Sequence, residues 1–100
     1  MGQQLVNTYL FNLTPSGGEA STNTTRIRGL LKLILVKPAS TGTQYDIKIV
    51  NKDSIIIYQR LGETGGTSEQ VELPLLGIYT ITLSNATADE AFNLELLTNV

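Results

Sequence analysis

Asp46, Asp53, Glu63, Glu72, Asp89 and Glu90 are the side chains of this sequence best placed to do chemistry. Carboxylates can hold a hard cation or move a proton, and loop oxygens gathered at one end of a fold could bind calcium. Asp53 and Glu63 flank one apolar segment, and Asp89 with Glu90 sits in a corner of small residues, "NATADEA". No EF-hand or repeat spacing accompanies them, and Asp favours turns for local hydrogen-bonding reasons of its own. The expectation is solvated turn acids, with no metal and no cofactor.

"GETGGT" (Gly62 to Thr67) has the glycines of a phosphate cradle. It lacks the Gly-Lys-Ser/Thr that must follow, carries Glu63, and leads into a strand pattern where a P-loop leads into a helix. A flexible hairpin end is expected. Histidine and cysteine are both absent, which removes the commonest general base, the thiolate nucleophile and the usual transition-metal ligands together. A Ser nucleophile would need a Lys or carboxylate base, and no spacing supplies one. We expect no catalytic residues and no enzyme.

Net charge is −2, with seven scattered Lys and Arg. Phosphate backbones are bound by clustered cations that displace counterions, so no nucleic-acid partner is expected. No apolar run is long enough to cross a bilayer as a helix, and "MGQQLVNTYLFNL" has no basic segment ahead of a long apolar one. The expectation is a chain made in the cytoplasm that neither enters a membrane nor needs an oxidised framework.

Strands must position whatever this chain presents. Leu5, Asn7, Tyr9, Phe11 and Leu13 alternate with Val6, Thr8, Leu10 and Asn12, the two-residue period of a strand. "TPSGGEASTNTT" (Thr14 to Thr25) has linker composition. "RIRGLLKLILVKP" (Arg26 to Pro38) is apolar on both faces, as in a central strand covered twice. "QYDIKIV" and "SIIIYQRL" flank the turn "NKD" and read as a hairpin. "GETGGTSEQ" (Gly62 to Gln70) reads as loop, and Pro74 in "VELPLL" marks a short or edge strand. "GIYTITLS" and "FNLELL" close the pattern, with Tyr79, Ile81, Leu83, Phe92, Leu94 and Leu96 inward.

About seven to eight short strands and no sustained helical period predict one all-β domain over residues 1–100, an antiparallel β-sandwich or jelly roll. Residues 1–13 form an N-terminal strand or arm, 14–25 a tether, and 26–100 the core. One hundred residues allow a single inner layer. The outer face around Leu31 to Val36, and the Ile55 to Tyr58 segment with large groups on both sides, are therefore candidate oligomer interfaces. Aromatic and large apolar anchors dominate interface energetics, which selects Leu5, Tyr9, Phe11, Ile56 and Tyr58.

"GIYTITLSNA" followed by "AFNLELL", with "YDIKIVNKDSIIIY" upstream, resembles the last hairpins of bacterial pre-peptidase C-terminal domains, small jelly rolls. The chain is also similar in style to small all-β structural proteins of tailed bacteriophages, being short, rich in Thr and Asn, and free of Cys and His. That resemblance implies a non-enzymatic virion protein, a capsid decoration or cement protein, built in the host cytoplasm. Its partners would be copies of itself in a homo-oligomer and the major capsid protein. Head-tail or tail accessory proteins, and a calcium- or carbohydrate-binding β-sandwich module, are the alternatives.

Overall fold

The structure, a computed structural model, describes residues 6–99. Its elements are β1 (Val6–Leu13), β2 (Ala20–Asn23), β3 (Ile27–Pro38), β4 (Gln44–Val50), β5 (Ile56–Thr64), β6 (Thr67–Gly77), β7 (Thr80–Ser84) and β8 (Phe92–Asn99). They form two four-stranded sheets, ordered β1-β8-β3-β6 and β2-β7-β4-β5. Every pairing is antiparallel. The chain is an all-β sandwich, as its alternation predicts.

One layer of side chains fills the space between the sheets. Ile34, Val36, Phe92, Leu94 and Leu96 enter it from the first sheet, and Tyr45, Ile47, Ile49, Ile81 and Leu83 from the second. β4, β7 and β8 alternate buried with more exposed positions, so one face of each is committed to this layer. The Tyr45 and Phe92 rings meet edge to face, centroids 5.1 Å apart, a geometry that adds to their area burial. The buried Tyr45 hydroxyl donates to Gly65 O at 2.8 Å and lies 3.1 Å from Thr67 Oγ1. Burial pushes its pKa above the ordinary tyrosine value.

The central strand β3 changes phase within its own length. Its register shifts between Leu31 and Leu33 against both neighbours: Lys32 is an extra residue relative to β8, and Val71 and Glu72 of β6 lie opposite it on the other side. Ile27 and Leu31 point inward before it, and Ile34, Val36 and Pro38 after it. Lys32 and Leu33 thus both fall on the outer side.

Two segments differ from the sequence reading, and the N-terminal one takes the strand side of its strand-or-arm alternative. β1 pairs through its full length with β8 of the same chain, from Val6 opposite Asn99 to Leu13 opposite Phe92. The N-terminal segment is an edge strand of its own sandwich, because Tyr9, Phe11 and Leu13 have the inner layer to pack against. The 14–25 segment holds β2, since Gly17 and Gly18, with φ of 63° and 85°, close a two-residue turn bridged by Ser16 and Glu19. "GETGGTSEQ" is mostly strand, with only Gly65 and Gly66 between β5 and β6. Gly62 lies where β5 slips register against β4, and Gly65 turns the chain from one sheet to the other.

Those two glycines separate backbone strain from close approach. Both have φ near the left-handed well, +66° and +69°, but a Cβ on Gly62 would meet nothing within 4 Å, whereas one on Gly65 would lie 2.6 Å from Thr41 O. Gly62→Ala is expected to cost about 1 kcal/mol from the positive φ alone. Gly65→Ala adds overpacking and is expected to cost roughly 2–4 kcal/mol. Urea denaturation of the two variants beside wild type measures the difference.

A candidate docking face on the outer side of the first sheet

Committing one face of each strand to the core leaves the other outside. On the first sheet that outer face is apolar along its middle. The β3–β8–β1 register places Leu33 opposite Leu97, Leu35 opposite Glu95, and Leu10 opposite Glu95 from the other side. On the β6 flank, Leu30 faces Pro74 and Arg28 faces Leu76. Leu10 and Leu76 are 69% and 71% exposed, and Leu30, Leu33, Leu35 and Leu97 are half-buried. Charge is confined to a few positions, Arg28, Lys37, Glu95 and the Lys32–Glu72 pair at 3.0 Å, which at this exposure contributes about 0–1 kcal/mol.

Two shallow depressions score the same face. One of about 800 Å³ crosses the end marked by Leu10, Leu35, Lys37, Asn93 and Ser68. The other, of about 660 Å³, lies between Leu33, Leu97 and the Lys32–Glu72 pair. The outer face of the second sheet is mostly polar, with Ser21, Asn23, Lys48, Thr80, Thr82 and Ser84 outward. Its exposed large apolar groups are Ile56 and Leu61 on the edge strand β5, and Ile55 and Ile78 lie in turns.

The residues expected as anchors do not gather here. Tyr9 and Phe11 lie opposite Leu96 and Leu94, half-buried against the core of their own chain. Tyr58 sits opposite Ile49 and is also half-buried against the core. Burial first, then the hydrogen bond to the Glu69 carboxylate, pushes its pKa well above the ordinary tyrosine value. Ile56 is 47% exposed, on the second sheet. Leu5 lies outside the described residues. Leu33 and Leu35 lie within the Leu31 to Val36 face expected from the two-sided pattern of β3, whereas Leu10, Leu30, Leu76 and Leu97 join them only through the strand register.

No family model matches the chain, and no curated protein matches its sequence. Among solved structures it is similar to a periplasmic lysozyme inhibitor of g-type lysozyme from Aeromonas hydrophila. That likeness has 13% identity and a TM-score of 0.51, over 95% of this chain and 86% of that one. The carbohydrate-binding module CBM36, in complex with calcium and xylotriose, aligns at 11% identity and TM-score 0.40, over 97% and 93%. The VP2 subviral particle of infectious bursal disease virus aligns at 14% and 0.41, over 97% of this chain and 33% of that one. At these identities the first likeness is one of fold alone, and the looser two add nothing to it.

The carboxylates tie loops together. Asp89 accepts the Gly17 and Gly18 amides at 3.1 and 3.0 Å, holding the β1–β2 turn. Glu90 accepts Ser40 N at 3.1 Å, Ser40 Oγ at 2.8 Å and the Thr43 hydroxyl, holding the β3–β4 loop. Asp46 accepts Gly62 N at 2.8 Å and Asn85 Nδ2 at 2.7 Å, bracing the β5 bulge. Glu63 pairs with Arg60 at 2.6 Å, and Glu69 pairs with the same guanidinium. Among the described residues no group of three or more potential ligands could hold a metal ion. Asp46, Asp89 and Glu90, expected to be merely solvated, are occupied by amides and hydroxyls of distant segments, while Glu63 and Glu72 pair with cations.

Glu90 makes this clamp visible in pH. The Thr43 hydroxyl, then the Ser40 hydroxyl, hold its pKa below the ordinary glutamate value. A carboxylate whose folded pKa is depressed contributes stability that is full above its unfolded pKa of about 4.3 and is lost as pH falls through the lower folded value. Glu90→Gln is expected to lower Tm at neutral pH and to converge with wild type on acidification below about pH 4. Melting temperatures of both proteins from neutral to acid pH test this, and a gap that does not narrow would contradict it.

Proposed function

We propose that this chain is a non-enzymatic structural protein of a virion, a capsid decoration protein that docks on a protein lattice through the outer face of its first sheet. The observation that carries the docking is the segregation of its side chains. Leu10, Leu30, Leu33, Leu35, Leu76 and Leu97 stand on that face, while Tyr9, Phe11, Tyr45, Tyr58, Tyr79 and Phe92 are buried or half-buried. Aliphatic groups that make up most of a patch, with Glu95 and the already paired Lys32 and Glu72 as the charges within it, suit a protein partner, because they release water without demanding a matched polar group. A glycan site stacks sugar rings on exposed aromatic faces, and these aromatics are withdrawn from the surface.

The virion setting is supported by the likeness in style to small all-β phage proteins, and head-tail or tail accessory positions use the same kind of surface. The mechanism is mechanical. A rigid sandwich, its loops cross-tied by Asp89 and Glu90, carries a preformed face, and a preformed face loses little conformational freedom on docking.

Virus particles banded from a culture that carries this gene are expected to contain the chain in fixed proportion to the capsid protein. A chain bearing Leu33→Lys and Leu35→Lys is expected to fold, with Tm close to wild type because both sites are half-exposed, and to be missing from the particles. Particles that lack the wild-type chain would overturn the virion reading. Saturable calorimetric binding of calcium or an oligosaccharide, unaffected by the lysines, would favour a binding module.

A further inference from the structure

The four edge strands of this sandwich are not equally protected. β6 carries Pro74, which cannot donate to a ladder. β5 is broken by two register shifts and carries Arg60 and Gly62. β2 is only four residues long. β1 has eight residues in unbroken register with β8, "VNTYLFNL", with no proline, no glycine and no charge. Among the described residues no strand pairs with its other side. Sandwiches ordinarily blunt such edges with charge, bulges or proline, since a free row of amides and carbonyls recruits another strand.

We infer that β1 pairs antiparallel with β1 of a second copy, about a two-fold axis at Leu10, joining the two first sheets into one of eight strands. The sequence of β1 is complementary to itself in that register. Leu10 meets Leu10 of the second copy on the outer side, and Thr8 meets Asn12. On the inner side Tyr9 meets Phe11, an aromatic cross-strand pair made twice by symmetry. Shifting the axis to Tyr9 or Phe11 would leave one aromatic pair on the axis in place of two, and set the other ring opposite Asn7 or Leu13. The register also explains why Leu10, 69% exposed, has no cover within its own chain.

The consequence for docking is one of area, and in this respect the inference rests on the function proposed above. Four strands about 4.8 Å apart, sharing about eight residues at about 3.3 Å, give a face of roughly 500 Å². A standard interface uses about 800 Å² from each partner. The single face falls short of it, and two joined edge to edge, at roughly 1,000 Å², exceed it. Dimerisation completes the docking surface, with Leu10 and its symmetry mate at the centre.

The chain has no cysteine, so single cysteines report register without background. Residues directly opposite in an antiparallel pair have Cα atoms about 4.5–5.5 Å apart, within disulfide reach. Leu10→Cys is expected to oxidise quickly to a covalent dimer. Thr8→Cys and Asn12→Cys are each expected to oxidise slowly alone and quickly when mixed, and Leu76→Cys, on the opposite edge strand β6, to form no covalent dimer. Wild type should sediment at twice the chain mass, and Leu10→Lys should weaken the dimer at least about tenfold by opposing like charges at the axis, with Tm little changed. A wild-type chain that stays monomeric at millimolar concentration, or cysteines that cross-link irrespective of position, would overturn the pairing. A dimer that forms while Leu33→Lys and Leu35→Lys still enters particles would leave the pairing intact and remove only the docking function.

Discussion

A sandwich of two four-stranded sheets has one interior, and each strand can give it only one face. The rest of this structure follows from that limit. β3 is apolar on both sides, yet of its large aliphatic side chains Ile27, Leu31, Ile34 and Val36 enter the layer, where they are almost fully buried. Leu30, Leu33 and Leu35 cannot follow them. The bulge at Lys32 sharpens the division by placing two consecutive residues outward. Burying an aliphatic side chain is worth about 1.5–3 kcal/mol, so a row of leucines left outside represents association energy held in reserve. The second sheet leaves mostly Thr, Ser, Asn and Lys outside under the same limit, with its exposed apolar groups confined to the edge strand β5 and the connections.

The end of the sandwich where the loops meet is governed by hydrogen bonding. The β7–β8 corner sends Asp89 to the β1–β2 turn and Glu90 to the β3–β4 loop, while Thr87 exchanges hydrogen bonds with Gln44. Ala86 N donates to Gly18 O at 3.0 Å. Backbone donors in turns have no ladder to join, and a carboxylate accepting two or three of them both satisfies them and fixes the loops relative to one another. This gives a small chain with a modest core a stiff frame. It also gives the acidic residues at that end a role as ties between loops.

Long alternating strands were legible in the sequence because their burial depends on their own residues. Tyr45, Ile47 and Ile49, and Phe92, Leu94 and Leu96, declare an inner face without reference to anything else, and Pro74 declares an edge. β2 was not legible, because Ala20 to Asn23 carries no apolar alternation and becomes a strand only by pairing with β7. Glycines at 62 and 65 read as flexibility, although one serves a bulge and the other a crowded corner. Of the site, the two-sided pattern of β3 was visible, whereas the packing of the aromatic anchors against the core of their own chain was not. Tyr9, Phe11 and Tyr58 are large groups that a small sandwich needs for itself, and only the register with β8 and β4 shows which way they turn.

The central claim is that the outer leucines of the first sheet are covered by protein when the chain is at work. Hydroxyl-radical footprinting of the dilute chain and of the chain in its native assembly, resolved by residue, measures this directly. The account predicts strong protection of Leu10, Leu33, Leu35 and Leu97 on assembly, with Ile55 and Ile78 labelled equally in both states. Unchanged labelling of those leucines, or protection confined to the second sheet, would contradict it.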